Sequence, residues 1–464
     1  MTIFDSFLTT PEITAVFSDT AVAQAMFDFE AALARAQAAE GVIPAGAAQP
    51  IASVCRAELY DMNAIVAASG RAGSLAIPLV KELTKTVGLF NAESAGYVHW
   101  GSTSQDVIDT AMVLVTRRAL ALVDAELERL LAELLRLADA HAGTPVLART
   151  LMQPALVTSL GLKFANWAAP LARSRRTLRE VAARALALQL GGAIGTASVM
   201  GDKAPAVARR MADSLQLALP DASWHTQRDE WVRLGLEVAV LAGSLGKIAT
   251  DLSLLSQGEV GELAEPSGTG RGGSSAMPHK RNPVASMVAL AAARRAPHRA
   301  AALLSAMDQQ QERGLGTWQA ELAEWPGLFL SAHGAAHAMA EAMAGLGVDA
   351  DRMRRNIDAL HGLVFAEGAS MAFAQVVGKA RAHELLEALA RRCVESGRPL
   401  GELVLEAVSS DPQLRGHVNP AEIAALFDPA RAVQLPAQQA RARIEALRAQ
   451  EAALPPAPWP TRAA

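Results

Sequence analysis

Residues 231–255 read WVRLGLEVAVLAGSLGKIATDLSLL. Trp231, Leu234, Val238, Leu241, Leu245, Ile248, Leu252 and Leu255 follow one another at spacings of three and four without a miss, which places them in one stripe along an α-helix. A seam of that length requires a partner helix along all of it. Two earlier segments have the same character. Residues 106–141 carry Leu120, Val123, Leu127, Leu130, Leu134 and Leu137, and predict a helix roughly 50 Å long. Residues 155–190 predict a second helix, with Pro170 as a kink. Two more patterns follow, over 284–307 and 318–346. Five long helices in succession predict an all-α chain built on a central five-helix bundle. Gly235, Gly243, Ser244 and Gly246 on the third helix permit close approach of a neighbour. The five stripes together exceed what one bundle can bury, so self-association is expected.

The flanks are shorter and more broken. A first helix is predicted over 19–40, capped by Asp19 and stopped at Gly41, and breaks at Pro50, Gly70 and Pro78 lead to a turn-rich segment over 91–104. Beyond residue 348 short helices are predicted over 349–367, 371–397 and 399–408, and the proline-rich tail past Gln450 reads as loosely ordered. The expected division is an N-terminal helical domain over 1–105, the long-helix bundle over 106–347 and a small C-terminal helical domain over 348–464.

Composition narrows the class. The chain has 464 residues, too many for one core, and its 4% aromatic content with abundant alanine and leucine favours helices. A net charge of −4 argues against a nucleic-acid partner, so functional positive charge must be local. Cys55 and Cys393 supply neither a metal-binding spacing nor a disulfide framework. The N-terminus lacks a basic region followed by an apolar run, and no uncharged apolar stretch reaches transmembrane length. A cytoplasmic protein without a membrane partner is expected.

The densest chemistry lies at 268–283, GTGRGGSSAMPHKRNP. Glycines give backbone freedom and close approach, while Arg271, Ser274, Ser275, Lys280, Arg281 and Asn282 offer donors to carboxylate oxygens. Composition alone leaves an ordinary surface loop equally open. The eleven residues GSSAMPHKRNP, however, resemble the GSSxMPxKxNP signature of the aspartase/fumarase superfamily. The resemblance implies that Ser274 is the base acting on a proton α to a carboxylate. Lys280 and Asn282 would hold the resulting anion, with Ser275, Met277 and Arg271 on the substrate side. It further implies a three-domain fold, a homotetramer and active sites built from three chains. A serine alkoxide needs adjacent cations and aligned N–H groups, which agrees with this assignment.

Two other segments join it. Residues 97–109, YVHWGSTSQDVID, set a glycine turn and hydroxyls at a helix start, where Ser104 or Asp106 could simply cap. They resemble the superfamily's HxGxTSxD region, which implies that Thr103, Ser104 and Gln105 bind substrate carboxylates and that His99 lines the pocket. Residues 224–229, WHTQRD, form either a solvated connection or a carboxylate site in which Gln227 and Arg228 bracket the anion and His225 donates to it. This string resembles the superfamily's bacterial 3-carboxy-cis,cis-muconate cycloisomerases. FDFEAALARAQAAEGVIP from Phe27, DLSLLSQGEVGELAEP from Asp251 and QERGLGTWQAE from Gln311 extend the resemblance across most of the chain.

One segment departs from the superfamily pattern. Where many members carry GRTHxQ, with a histidine that protonates the leaving group, this chain reads ARTLMQP over 148–154, with Leu151 at the histidine's position and proline at 154. Expelling an amine needs a proton, and general-acid help is worth roughly 10²- to 10⁴-fold. A carboxylate leaves without one, its conjugate acid having a pKa of about 4. Lactone chemistry therefore suits the segment, and the resemblance implies cyclisation of 3-carboxy-cis,cis-muconate in aromatic catabolism without a metal or organic cofactor. The alternatives are an elimination lyase expelling a good leaving group such as nitrite, an adenylosuccinate- or argininosuccinate-type lyase, and a silent helical scaffold.

Overall fold

The chain enters its bundle at Thr103, where an extended residue precedes the helix Ser104–Ala140. Thr103, rather than Ser104 or Asp106, is the N-cap, and its N–H donates to Asp106 Oδ2 at 3.1 Å. The computed structural model describes residues 3–268, 272–273, 276–277 and 279–459. Four further bundle helices follow: Leu160–Ala185, Asp229–Leu255, Val284–Ser305 and Thr317–Ala344. The expected stripes face inward, from Leu120 to Leu137 on the first helix and from Trp231 to Leu255 on the third. The architecture is all-α apart from short antiparallel pairings.

Contacts between side chains fix the direction of each helix. Trp318 Nε1 donates to Asp109 at 2.9 Å, Trp325 Nε1 to Thr116 at 2.8 Å and Arg129 to Glu341 at 2.7 Å, so the first and fifth helices run parallel. Trp231 stacks on Trp325 with ring centroids 3.9 Å apart, which sets the third helix parallel to both. The second is antiparallel to the third, since Trp167 meets Asp251 near one end and Arg184 meets Glu230 near the other. The fourth is antiparallel to the fifth, with Arg299 on Glu324, and to the third.

Two of the small residues have the expected role. A Cβ on Gly246 would lie 2.3 Å from that of Ala293, and one on Gly235 2.7 Å from Leu303, so the fourth helix can approach only because these positions are glycine. Gly243 faces open space in the single chain. The third helix has the length and mean hydropathy, 1.5 over its most apolar window, of a membrane span. Its apolar stripe is instead occupied by the rest of the bundle: Leu234, Leu241, Leu245 and Ile248 are fully buried.

Three expectations are corrected. Residues 155–159 are not helical: Pro145–Thr150 and Gln153–Ser159 form an antiparallel hairpin in which Thr150 pairs with Gln153. Its two-residue turn is Leu151–Met152, both at positive φ (49° and 67°), and the second helix starts only after Ser159 caps it. β-branched Val146, Val157 and Thr158 in the strands, and a proline at 154, explain why an apolar run that reads as helix pairs as strand. The helix Asp19–Ala39 is capped by Ser18, not Asp19. The tail is not loose up to residue 459: the helix Gln434–Ala452 returns to the bundle, Arg179 donates to Pro455 O at 2.8 Å, and Ile444, Leu447 and Trp459 share the main core. A separate apolar cluster gathers Phe373, Leu386, Leu403 and Ile423.

Candidate active site

The direction of the helices sorts the candidate residues into two groups. The starts of the first, third and fifth helices lie together and carry His99, Thr103, Ser104, Gln105, His225 and Arg228. The 268–283 segment joins the end of the third helix to the start of the fourth, at the opposite end of the bundle. The third helix has 27 residues, so roughly 40 Å separate the two groups within one chain at about 1.5 Å per residue. The hairpin tip at Leu151 lies at the second end, where Arg149 grips Glu262 with 2.9 and 2.7 Å hydrogen bonds.

At the first end, Asp106 organises the backbone. Its carboxylate accepts from the N–H groups of Thr103, Gly191 and Gly192, at 3.1, 2.9 and 2.8 Å, and from the Ser102 hydroxyl. His225 Nε2 lies 2.8 Å from the same carboxylate, and its ring is buried. Arg313 donates to the Thr103 hydroxyl at 2.7 Å and to that of Ser104 at 3.0 Å. Two hydroxyls aligned by a cation at a helix N-terminus form a place for a carboxylate.

His99 stands beside them with φ at +59°, a region that costs a non-glycine residue about 1–3 kcal/mol. Its Nδ1 is 2.6 Å from Glu30 Oε1. Glu30 and Gln37 are two turns apart on one face of the helix Asp19–Ala39, and Gln37 Nε2 donates to Trp100 O at 2.7 Å, so that helix holds the loop at two points. Burial lowers the proton affinity of the imidazole, but the charge and hydrogen bond of Glu30, with Asp106 behind, outweigh it and raise the His99 pKa above the ordinary value.

Arg228 does not stand free for a substrate. Its five N–H groups are spent on Asp109, Glu321 and Trp224 O: NH1 is 2.8 Å from Asp109 Oδ2, NH2 3.1 Å from Oδ1, and Nε 3.1 Å from Glu321. Burial pushes the Glu321 carboxyl up despite the guanidinium, whose own pKa is raised by the two carboxylates against its burial. Gln105 is spent in the same way, on Asp109 at 3.2 Å and His225 O at 2.8 Å. Gln227 is exposed.

At the other end, Ser274, Ser275 and Arg271 lie outside the described residues. Asn282 N–H donates to Gly272 O at 2.8 Å, and Asn282 Nδ2 reaches Gly273 O at 3.4 Å. Gly272 has φ +67°, and a Cβ there would stand 2.7 Å from Asn282 O, so this closure requires glycine. Glu265 caps the fourth helix by accepting from Ala285 N and Ser286 N at 2.9 and 2.8 Å. Lys280 and Met277 are exposed, linked by the turn Lys280 N to Met277 O at 3.1 Å.

Sequence reasoning passed over Glu30, Asp106, Asp109, Glu321 and Arg313 as site-forming residues. Asp106 was legible as the acidic member of a T-x-x-D helix start, and Glu30 and Gln37 as polar residues spaced by seven in an alanine-rich face. Arg313 gave no local signal.

Residues 7–297 match the family model described as Lyase, and residues 362–442 match that of the adenylosuccinate lyase C-terminus. A 3-carboxy-cis,cis-muconate cycloisomerase of Bradyrhizobium diazoefficiens is 49% identical, over 91% of this chain and 93% of its own. The one of Pseudomonas aeruginosa is 47% identical over 99% and 98%. Among solved structures, the 3-carboxy-cis,cis-muconate lactonizing enzyme of Pseudomonas putida superposes with a TM-score of 0.90 at 41% identity, covering 97% of this chain and 99% of that one.

Proposed function

The chain belongs to the lyase family of the aspartase/fumarase superfamily, and on that premise we infer that it is a 3-carboxy-cis,cis-muconate cycloisomerase. The observation that carries this reading is the near full-length similarity to enzymes of that name. The reaction is an intramolecular addition. A carboxylate oxygen forms a bond to an alkene carbon, the π pair moves to the carbon α to a second carboxylate, and that carbon takes up a proton.

The assignment of roles is our proposal. Ser274 returns the proton to carbon, or removes it in the reverse direction. Lys280, Asn282 and the backbone at Gly273 and Ser274 stabilise the enolate-like intermediate. Thr103 and Ser104, aligned by Arg313, bind a substrate carboxylate, with Gln227, Arg271, Ser275 and Met277 as further contacts. Arg228 and Gln105 serve as the framework beneath them, because their donors are occupied by Asp109, Glu321 and the His225 carbonyl, while His225 is tied to Asp106 through Nε2 and keeps its buried Nδ1 without a partner among the described residues.

We also propose that a working site is assembled from several copies of the chain in a homotetramer. The distance between the two groups of residues supports this, since one chain cannot bring Thr103 to Lys280. Exposed apolar side chains on the bundle, Val240 on the third helix and Met287 on the fourth, support an interface there. We propose the three-part division at residues 105 and 347 as well, with the helix Gln434–Ala452 returning from the third part to the bundle. A cytoplasmic role in protocatechuate breakdown completes the reading.

The test is ultraviolet absorbance of purified protein mixed with 3-carboxy-cis,cis-muconate, because ring closure destroys the conjugated diene. Rapid loss of absorbance, abolished by Ser274→Ala in an intact oligomer, is the expected result. Absorbance that stays constant while nitrosuccinate releases nitrite would replace this reading with the elimination reading.

A further inference from the structure

Beside the hairpin tip, at the second end of the bundle, a cavity of about 360 Å³ opens between the hairpin, the start of the second helix and the end of the third. Arg149, Lys163 and Lys247 line it, together with Asp251. Met152, Leu254, Leu255 and Val260 supply an apolar wall.

Two of the three cations are already matched. The Arg149 guanidinium pairs bidentately with Glu262, whose side chain is fully buried and whose Oε1 also accepts from Asn356 at 2.8 Å. The Lys247 ammonium pairs with Asp251, one turn further along the third helix, and that carboxylate also accepts from Trp167 Nε1 at 3.0 Å. Lys163 is half-buried, yet it makes no hydrogen bond or ion pair among the described residues. It is held at the cavity by the first turn of the second helix, which Ser159 caps and which the buried Phe164 and Trp167 anchor in the core. Three cations thus face two carboxylates, and one positive charge is left over.

We propose, independently of the cycloisomerase reading, that this cavity binds one carboxylate group of a small organic acid, with the Lys163 ammonium as its counterion and Met152, Leu254 and Leu255 against its carbon skeleton. A half-buried ammonium without a counterion carries a desolvation cost that an entering anion offsets. The apolar wall favours an organic acid over a hydrated inorganic ion. A single carboxylate, rather than a phosphate dianion, matches the one charge left over. Burial lowers the proton affinity of Lys163, and Arg149 from the hairpin and Lys247 from the third helix lower it further, against Asp251 and Glu262, so its pKa lies below the ordinary lysine value. A bound carboxylate raises it again, because anion binding and protonation are linked.

The probes are adipate, a six-carbon dicarboxylate without a double bond to cyclise, and adipamide, its uncharged analogue. Acetic anhydride labels neutral lysine amines in the intact protein, and peptide mass spectrometry reads each site separately. At fixed ionic strength, adipate at ten times its Kd should slow the labelling of Lys163 about tenfold by occupancy alone. The exposed Lys85 should label at an unchanged rate, and adipamide should protect neither. Lys163→Met, which keeps the apolar stem, should weaken adipate binding in calorimetry by about tenfold or more, while Lys163→Arg, which keeps the charge, should retain most of it. Unprotected Lys163, equal protection by adipamide, or a Lys163→Met protein that binds adipate as the wild type does would overturn the proposal. Should Lys163→Met not fold, the labelling of the wild type decides. Kinetics of diene loss separate the sources of the carboxylate. Competitive inhibition by adipate, with KM raised in Lys163→Met more than kcat falls, makes it the substrate's own; protection of Lys163 without competition makes it a second small acid, and either sustains the site. A protein that does not cyclise 3-carboxy-cis,cis-muconate at all would end the cycloisomerase reading and leave the labelling result standing.

Discussion

Arg228 and Asp109 face each other inside the bundle as a bidentate pair, with 2.8 and 3.1 Å hydrogen bonds and side chains only 1% exposed. Glu321 closes the other side of the same guanidinium. Removing the cation leaves two carboxylates buried without compensation, which typically costs about 3–5 kcal/mol. Arg228→Met should therefore lower the free energy of unfolding, read from urea titration, by an amount of that order. A change of a few tenths would return Arg228 to the substrate-binding role that its sequence context first gave it.

Thr103 and Lys280 stand at opposite ends of the bundle, and that separation yields a complementation test. Thr103→Ala and Ser274→Ala should each be nearly inactive alone. Unfolding and refolding them together should restore activity well above either parent, because some mixed sites would combine an intact Thr103 from one chain with an intact Ser274 from another. Mixed oligomers no more active than their parents would refute shared sites.

Gly272 closes the signature segment onto Asn282 in a space that admits no Cβ. Gly272→Ala should cost about 1–2 kcal/mol in this local closure. Because the segment lies outside the main core, kcat should fall while Tm stays nearly constant, which parallel assays and thermal melts would separate.

The hairpin tip invites the opposite change. Leu151 and Met152 both adopt positive φ in a two-residue turn that suits Asn-Gly far better. Leu151→Asn with Met152→Gly should raise stability by about 1 kcal/mol, read as an increase in Tm. A fall in cyclisation rate in that stabilised protein would mean that the apolar tip contributes to a neighbour's site.

His333 makes acid stability measurable. Burial holds its pKa down at about 4, with His337 and Arg129 adding to the effect and Glu126 and Glu12 opposing it. Above pH 6.5 neither the folded nor the unfolded chain protonates it. Between pH 6.5 and 4 only the unfolded chain binds the proton, so stability falls on acidification through that window, by roughly 1–3 kcal/mol. His333→Gln should flatten this part of the Tm-against-pH curve, and an unchanged slope would assign the acid sensitivity to other groups.

Much of the fold was legible because burial imposes periodicity. The stripe from Trp231 to Leu255 could lie only on a helix with partners, and the inward residues of the first helix followed the same rule. The signature from Gly273 to Pro283 and the departure at Leu151 placed the chemistry in a known class of reaction. Hairpin pairing at 145–159 was hidden because a short apolar run suits strand or helix equally, and its long-range pairing decides.

What the residues alone determined was therefore the helical bundle, the superfamily and the kind of carboxylate chemistry. These rest on local patterns that survive without knowledge of neighbours. Tertiary structure decided how the candidates divide: it buried Arg228, Gln105 and His225 in a network with Asp109, Glu321 and Asp106, brought Arg313 to Thr103, and set Glu30 under His99. It also placed the two groups of residues at opposite ends of the bundle. The physical reason is that a hydrogen bond or an ion pair across two hundred residues depends on how helices pack, and no spacing along the chain encodes which carboxylate a given cation will meet.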